Sequence, residues 1–237
     1  MGAPAQLTMR SDGSAEFFSA NRPAWHGTGR TTLGAQTAEQ ALVAAQLDWV
    51  VEKRPAGYSS QTEDGTVWTA VKDEFFTVRT DNGRALGRVG SSFTVLQNAE
   101  AFDALSIVLQ EHGLLYETAG TLRGGEHVWL LARHPGEHAL AGDEVRRYVL
   151  LSHGHDGKSA IRILETLVRV VCRNTLSRAL GAAGAGVRIS HAGSLAARLV
   201  DAQQAFSAAT ASFETAQKNA EKLAQFKPAR ELVDHVI

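Results

Sequence analysis

Three groups of side chains in this sequence could do chemistry, and each makes a different demand on its surroundings. His153, His155 and Asp156 fall within four residues. On a strand an i, i+2 pair projects to one side, so two imidazoles and a carboxylate could begin a metal site. No confidently spaced third ligand accompanies them, and Asp156-Gly157 reads equally well as a hairpin turn. Cys172 is the lone cysteine. Beside Val170 and Val171 it reads as a buried, inert thiol, and no internal disulfide is possible.

The third group is the basic run from Arg146 to Gly181. Arg146, Arg147, Lys158, Arg162, Arg169, Arg173 and Arg178 are opposed there only by Asp156 and Glu165. Planar guanidinium forks suit phosphate oxygens. Such an excess must face something acidic, stay solvated, or be paired by carboxylates from elsewhere in the fold. Tyr148 stands beside the run, and a basic line flanked by an aromatic is what holding a single nucleic-acid strand requires. No GxSxG, HExxH, Walker-type loop or CxxC pair occurs, which weakens the case for an enzyme.

Composition limits the partners. The 237 residues carry 24 lysines and arginines against 25 carboxylates, a net charge of −1. A nucleic acid must therefore be held by a patch, because bulk charge will not hold it. The first residues lack a basic segment followed by an apolar one, and no run of about 18 apolar residues occurs. The expectation is a cytoplasmic protein without a membrane span.

The elements that must position these groups follow from periodicity. Residues 1–24 are small and polar and predict a loose arm, with Trp25 anchoring it beside the turn His26–Gly29. Thr37 caps an amphipathic helix to Trp49, ended by Pro55 and Gly57. Val67–Thr80 and Arg84–Val95 form a hairpin around Asp81-Asn82-Gly83. Asn98 caps a helix from Ala99 to His112, closed by Gly113. Leu114–Thr121 and His127–Arg133 form a second hairpin. Alternation of Val128, Leu130 and Ala132 with Trp129 and Leu131 predicts a strand covered on both faces.

A loop over 135–142 leads to the basic run, which reads as strand, turn, long strand, and a helix capped by Asn174 and stopped by Gly181. A short apolar piece, Val187–Ile189, precedes a long helix from Ser194 to Phe226. The heptad seam of that helix, including Leu199, Phe206 and Phe213, suits either intramolecular packing or self-association. The sum is an α+β fold: an antiparallel, hairpin-rich sheet packed with helices, plus a long C-terminal helix. The corresponding division is an arm at 1–24, a core domain at 25–190, and the long helix with the start of a further segment at 191–237.

Several of these segments together resemble a known family. RPAWHGTG, SSFTVLQNAEAFDAL, YETAGTLRGGEHVWLLAR, SHGHDGKSA and VRVVCRNTLSRAL look like the phage/plasmid-like proteins that carry domain of unknown function nine-three-two. The likeness runs from Pro23 to about Ala229, with Phe93 where tyrosine is expected. It implies a mobile-element setting, with DNA replication or recombination as its business. The order of elements is also similar to that of Rad-fifty-two-like single-strand annealing proteins, whose rings or filaments hold single-stranded DNA in a basic groove.

The expected function is therefore binding and annealing of single-stranded DNA by a homo-oligomer, with no cofactor. Arg146, Arg147, Lys158, Arg162, Arg169, Arg173 and Arg178 would contact phosphates, Tyr148 would stack on a base, and Leu199, Phe206 and Phe213 would join subunits. The alternatives are a metal-dependent nucleic-acid-processing enzyme using His153, His155 and Asp156, or a structural or host-interaction protein of a mobile element.

Overall fold

The computed structural model describes residues 6–33, 37–136, 138–140, 143–181 and 186–194, with Ala197, Val200, Asp201, Gln204 and Phe206 beyond them. In chain order the elements are β1 (Phe17–Ala20), β2 (Arg30–Thr32), α1 (Ala38–Ala44), β3 (Val51–Thr62), β4 (Gly65–Arg79), β5 (Ala85–Gly90), α2 (Asn98–His112), β6 (Leu115–Leu122), β7 (His127–Arg133), β8 (His138–Leu140), β9 (Asp143–Val145), β10 (Tyr148–Gly154), β11 (Ile161–Thr166), α3 (Arg173–Gly181) and β12 (Gly186–Ile189).

Seven strands make the main sheet in the order β12-β11-β10-β7-β6-β1-β2, antiparallel except for the β1–β2 pair. β3, β4 and β5 form a second antiparallel sheet, and β8 pairs with β9. The fold is α+β, as the pattern of hairpins and helices predicts.

The alternation along β7 decides where the core sits. Val128, Leu130 and Ala132 join one apolar cluster with Phe102, Leu105 and Val108 of α2. Trp129 and Leu131 join a second with Leu176 and Ala179 of α3 and with Val170, Val171 and Cys172. The main sheet is thus buried on both faces, and truncating a central side chain such as Leu130 to alanine costs about 2–5 kcal/mol. No described helix is long and apolar enough to cross a membrane.

Local chemistry sets the helix ends. Thr37 Oγ1 accepts from Gln40 N–H while Gln40 Oε1 accepts from Thr37 N–H, a reciprocal cap for α1. For α2 the cap is Gln97, whose N–H donates to Glu100, and not Asn98. Asn98 is buried and its Nδ2 donates to Leu47 O at 2.9 Å. α3 opens at Arg173, one residue ahead of the expected Asn174 cap, and the Thr175 hydroxyl accepts from the N–H groups of Val171 and Cys172.

Several expectations are corrected. The N-terminal stretch is not a loose arm, because Phe17–Ala20 is fully buried and pairs with β6 as well as β2. Trp25 does not anchor it, being 73 % exposed; Phe17 and Phe18 do so. Pro55 and Gly57 lie inside β3, and α1 has already ended at Ala44. The 135–142 loop contributes to the β8–β9 pair. Most of the expected helix from Ser194 to Phe226, including Leu199 and Phe213, lies outside the described residues. Phe206 is buried in its own chain's core, edge-on to His112, so it is not free to join subunits.

Candidate functional site

The basic run divides between the interior and the surface. Arg169 donates through Nε to Glu117 at 2.5 Å and through Nη2 to Ser19 at 2.7 Å. Glu117 also holds Arg133 at 3.4 Å and Arg22 at 3.7 Å, so one buried carboxylate gathers three guanidinium groups. Arg147 is buried and pairs with Glu165, which His134 also meets at 3.1 Å. Tyr148 is 2 % exposed and packs under α3. These three positions are therefore structural: a buried tyrosine offers no face to a base, and a guanidinium fork filled by a carboxylate offers none to phosphate. Arg146 and Arg178 are exposed and line none of the clefts described next.

Lys158 and Arg173 line clefts together with cations from elsewhere in the chain. Gln6 to Met9, Arg84, Arg123, Gly124 and Arg173 line an open cleft of about 560 Å³. Arg123 and Arg173 also line a second cleft of about 190 Å³ with Glu126, His127, Asp156 and Ser159. Ser159 in turn borders a third, of about 370 Å³, lined by Arg88, Phe93, Lys158, Arg188 and His191. The clefts adjoin through these shared residues, and six cationic side chains line them against the carboxylates of Glu126 and Asp156.

Register sets a like-charged pair at the edge of this trough, where Arg188 borders the third cleft. Arg162 on β11 lies directly opposite Arg188 on β12. Neighbouring Ile161, Ile163, Val187 and Ile189 face the α2 side of the sheet, so the two arginines project together to the other side. Like charges directly opposite are destabilising. Neither arginine, nor Lys158, has an ion pair among the described residues.

The wall between the clefts is the loop 154–159. Asp156 Oδ1 accepts from the N–H groups of Lys158 and Ser159 at 2.9 and 2.8 Å, and Oδ2 accepts from the Ser159 hydroxyl. Although burial opposes it, these donors hold the Asp156 carboxyl below its usual range. The ionised carboxylate shapes the loop and offsets part of the trough's positive charge. The loop seats on β5: a Cβ at Gly157, whose φ is +73°, would stand 2.7 Å from Arg88 O, and one at Gly87 would stand 2.5 Å from the Asp156 backbone.

Beneath the loop lies a histidine cluster. His153 and His155 are buried with rings edge to face at 5.0 Å, and Trp49 meets His155 at 5.5 Å. His155 Nε2 meets Asn98 Oδ1 at 3.2 Å. Since Asn98 Nδ2 donates to Leu47 O, that oxygen is an acceptor and His155 carries its hydrogen on Nε2. Burial drives the pKa of His155 down to about 3 and that of His153 well below the ordinary value. The Asp156 carboxylate is turned into its own loop. Among the described residues no group of three His, Cys, Asp or Glu side chains is placed to hold a metal ion.

Phe93 supplies the aromatic surface that Tyr148 lacks. Half-buried at the third cleft, its ring stacks on His191 at 4.7 Å and 16°. The sequence marks Phe93 only as a departure from an expected tyrosine, because its place depends on the fold of the β5–α2 segment against the residues after β12.

Over residues 85–237 the chain matches a family model described as a domain of unknown function (DUF932). No curated protein and no solved structure matches it.

Proposed function

The chain belongs to the DUF932 family, and we propose that it binds single-stranded DNA along the basic trough and promotes annealing in a phage or plasmid recombination or replication system. The family description carries no activity, so the reading rests on the site. Its single strongest support is the opposition of Arg162 and Arg188 without a carboxylate between them. A phosphodiester seated there turns a repulsive pair into a clamp.

The same trough suits an extended polyanion better than one small anion. Arg84, Arg123 and Arg173 sit at one end and Arg88, Lys158 and Arg188 at the other, spread over three adjoining clefts. Phe93 offers a stacking surface at one end, and stacking of this kind tolerates any base. Annealing needs no bond chemistry: a strand held by its backbone keeps its base edges open to a complement.

The test is a salt titration of a fluorescent single-stranded oligonucleotide, with duplex of the same sequence as competitor. Binding that prefers the single strand and weakens steeply with salt is expected. Absence of binding at low salt would overturn the proposal.

A further inference from the structure

Trp25 is exposed, yet the imidazole that supports it is fixed from three sides. His26 Nδ1 accepts from the Thr28 N–H at 3.2 Å and from the Thr28 hydroxyl at 2.7 Å. Its hydrogen therefore sits on Nε2, which donates to Val171 O at 3.0 Å. Phe17 meets the same ring edge on at 5.3 Å. Gly27 and Gly29 take positive φ of 66° and 86°, and a Cβ at Gly29 would stand 2.5 Å from the Phe17 side chain, so this turn is docked tightly on β1. The Trp25 indole rests edge to face on His26 at 5.4 Å while 73 % of the residue stays open to solvent.

This mounted ring stands beside one end of the basic trough. Val171 precedes Arg173 by two residues, at most about 7 Å of chain. Ala24 is buried with Leu7, Cys172 and Leu176 in the cluster beneath α3. Leu7 and Arg173 both line the cleft that Arg84 and Arg123 complete, whereas Phe93 lies in the cleft at the other end. The charge around the indole is positive. Residues 17–33 contain Arg22 and Arg30, both exposed, and no carboxylate. Glu117, which Arg22 approaches, is shared with Arg133 and Arg169, so three guanidinium groups outweigh it. An apolar partner laid on Trp25 would have to desolvate Arg22 and Arg30. A base on a phosphate backbone meets both demands, since its ring stacks on the indole and its phosphates answer the arginines.

Resting on the single-strand reading of the trough, we infer that Trp25 is a second stacking platform, on which a base lies where the strand leaves the cleft of Arg84, Arg123 and Arg173. Phe93 and Trp25 then take bases at opposite ends, and the cations between them hold the backbone. Because His26 already fixes the underside of the indole, stacking costs Trp25 little side-chain freedom.

The experiment uses the whole chain and reads binding and stacking separately. Of the four tryptophans Trp49 and Trp129 are buried, so Trp68→Phe leaves Trp25 as the exposed indole. In that variant acrylamide should quench Trp25 in the free chain. Anisotropy of labelled oligothymidylate reports binding, which should change the Trp25 emission and shield it from acrylamide. An abasic oligonucleotide of the same length should bind without either effect. Trp25→Ala should weaken oligothymidylate affinity roughly 5- to 150-fold with the salt slope unchanged, and Trp25→Phe should retain most of the affinity. Binding that leaves Trp25 emission and acrylamide access unchanged, or equal affinities for Trp25→Ala and the parent chain, would overturn the platform and leave the trough standing. Trp25 shielded from acrylamide before any oligonucleotide is added would also overturn it, because another part of the chain then covers the ring. No binding at low salt would remove trough and platform together.

Discussion

The Arg79 guanidinium and the Glu16 carboxylate meet fork to fork, Nη1 to Oε2 at 3.0 Å and Nη2 to Oε1 at 2.8 Å, with both side chains withdrawn from solvent. Arg79 also holds Asp81 at 2.7 Å and lies 4.0 Å over the Trp49 ring. The pair ties the base of the β3-β4-β5 sheet to the segment entering β1. Removing one partner leaves a buried charge with only its weaker counter-ion, Asp81 for Arg79 or Arg10 for Glu16, so Arg79→Met or Glu16→Gln is expected to cost up to about 3–5 kcal/mol. Replacing both with apolar residues should cost less than the two single changes together. Urea midpoints of the three variants check this.

The trough and the interior arginines predict opposite phenotypes. Replacing Arg84, Arg123 and Arg173 together by alanine should lower the slope of log affinity against log salt by about two for a single strand, with stability nearly unchanged. Arg169→Ala should do the reverse, because it takes one of three cations from buried Glu117. Equal salt slopes for the parent chain and the triple variant would remove the trough from the site.

The buried histidines predict acid sensitivity. His153 and His155 titrate below their ordinary value of 6.5 when folded, so the unfolded chain binds more protons. Stability is therefore full above pH 6.5 and falls as pH drops through the window toward about 3, the folded value of His155. The slope is at most about 1.4 kcal/mol per pH unit for each histidine. Urea denaturation at a series of pH values should show this, and His153→Met should flatten the profile.

The loop between the clefts has no room for a side chain at its contacts with β5. Gly157→Ala combines a positive φ with a Cβ pressed on Arg88 O, and Gly87→Ala drives a Cβ into the Asp156 backbone. Each should cost about 1–3 kcal/mol. Because the displaced loop carries Lys158 and Ser159, oligonucleotide affinity should fall as well. Melting curves read alongside binding isotherms separate the two effects.

The legible parts of the fold were those with a periodic apolar face or strong turn chemistry. The alternation along Val128–Arg133 announced a strand buried on both sides, and Thr37, Gly113 and Asp81-Asn82-Gly83 marked real boundaries. Strand β3 escaped because its outer half, Gly57–Thr62, faces solvent on both sides and so has no period to read. β1 escaped because four buried residues are too short a signal for a strand set inside a sheet. Around the proposed trough, local charge density pointed to Lys158 and Arg173, which line its clefts, and to Arg162. It could not separate them from Arg147 and Arg169, whose carboxylate partners lie on other strands, nor find Arg84, Arg123 and Arg188, which only the fold brings alongside.

The placement of β1 has a consequence for how the chain acquires its structure. Phe18 pairs with Ala119, and every element from β2 to α2 lies between them in the chain. During synthesis Phe17 and Phe18 emerge before β6, and until it has left the ribosome they have only β2 and α1 to meet. Closure of the β6 edge by β1 is therefore a long-range step that waits on the elements between them. Until that step is complete, two of the most apolar residues in the chain and the open edge of β6 are exposed together, and that interval is when the nascent protein is most prone to aggregate.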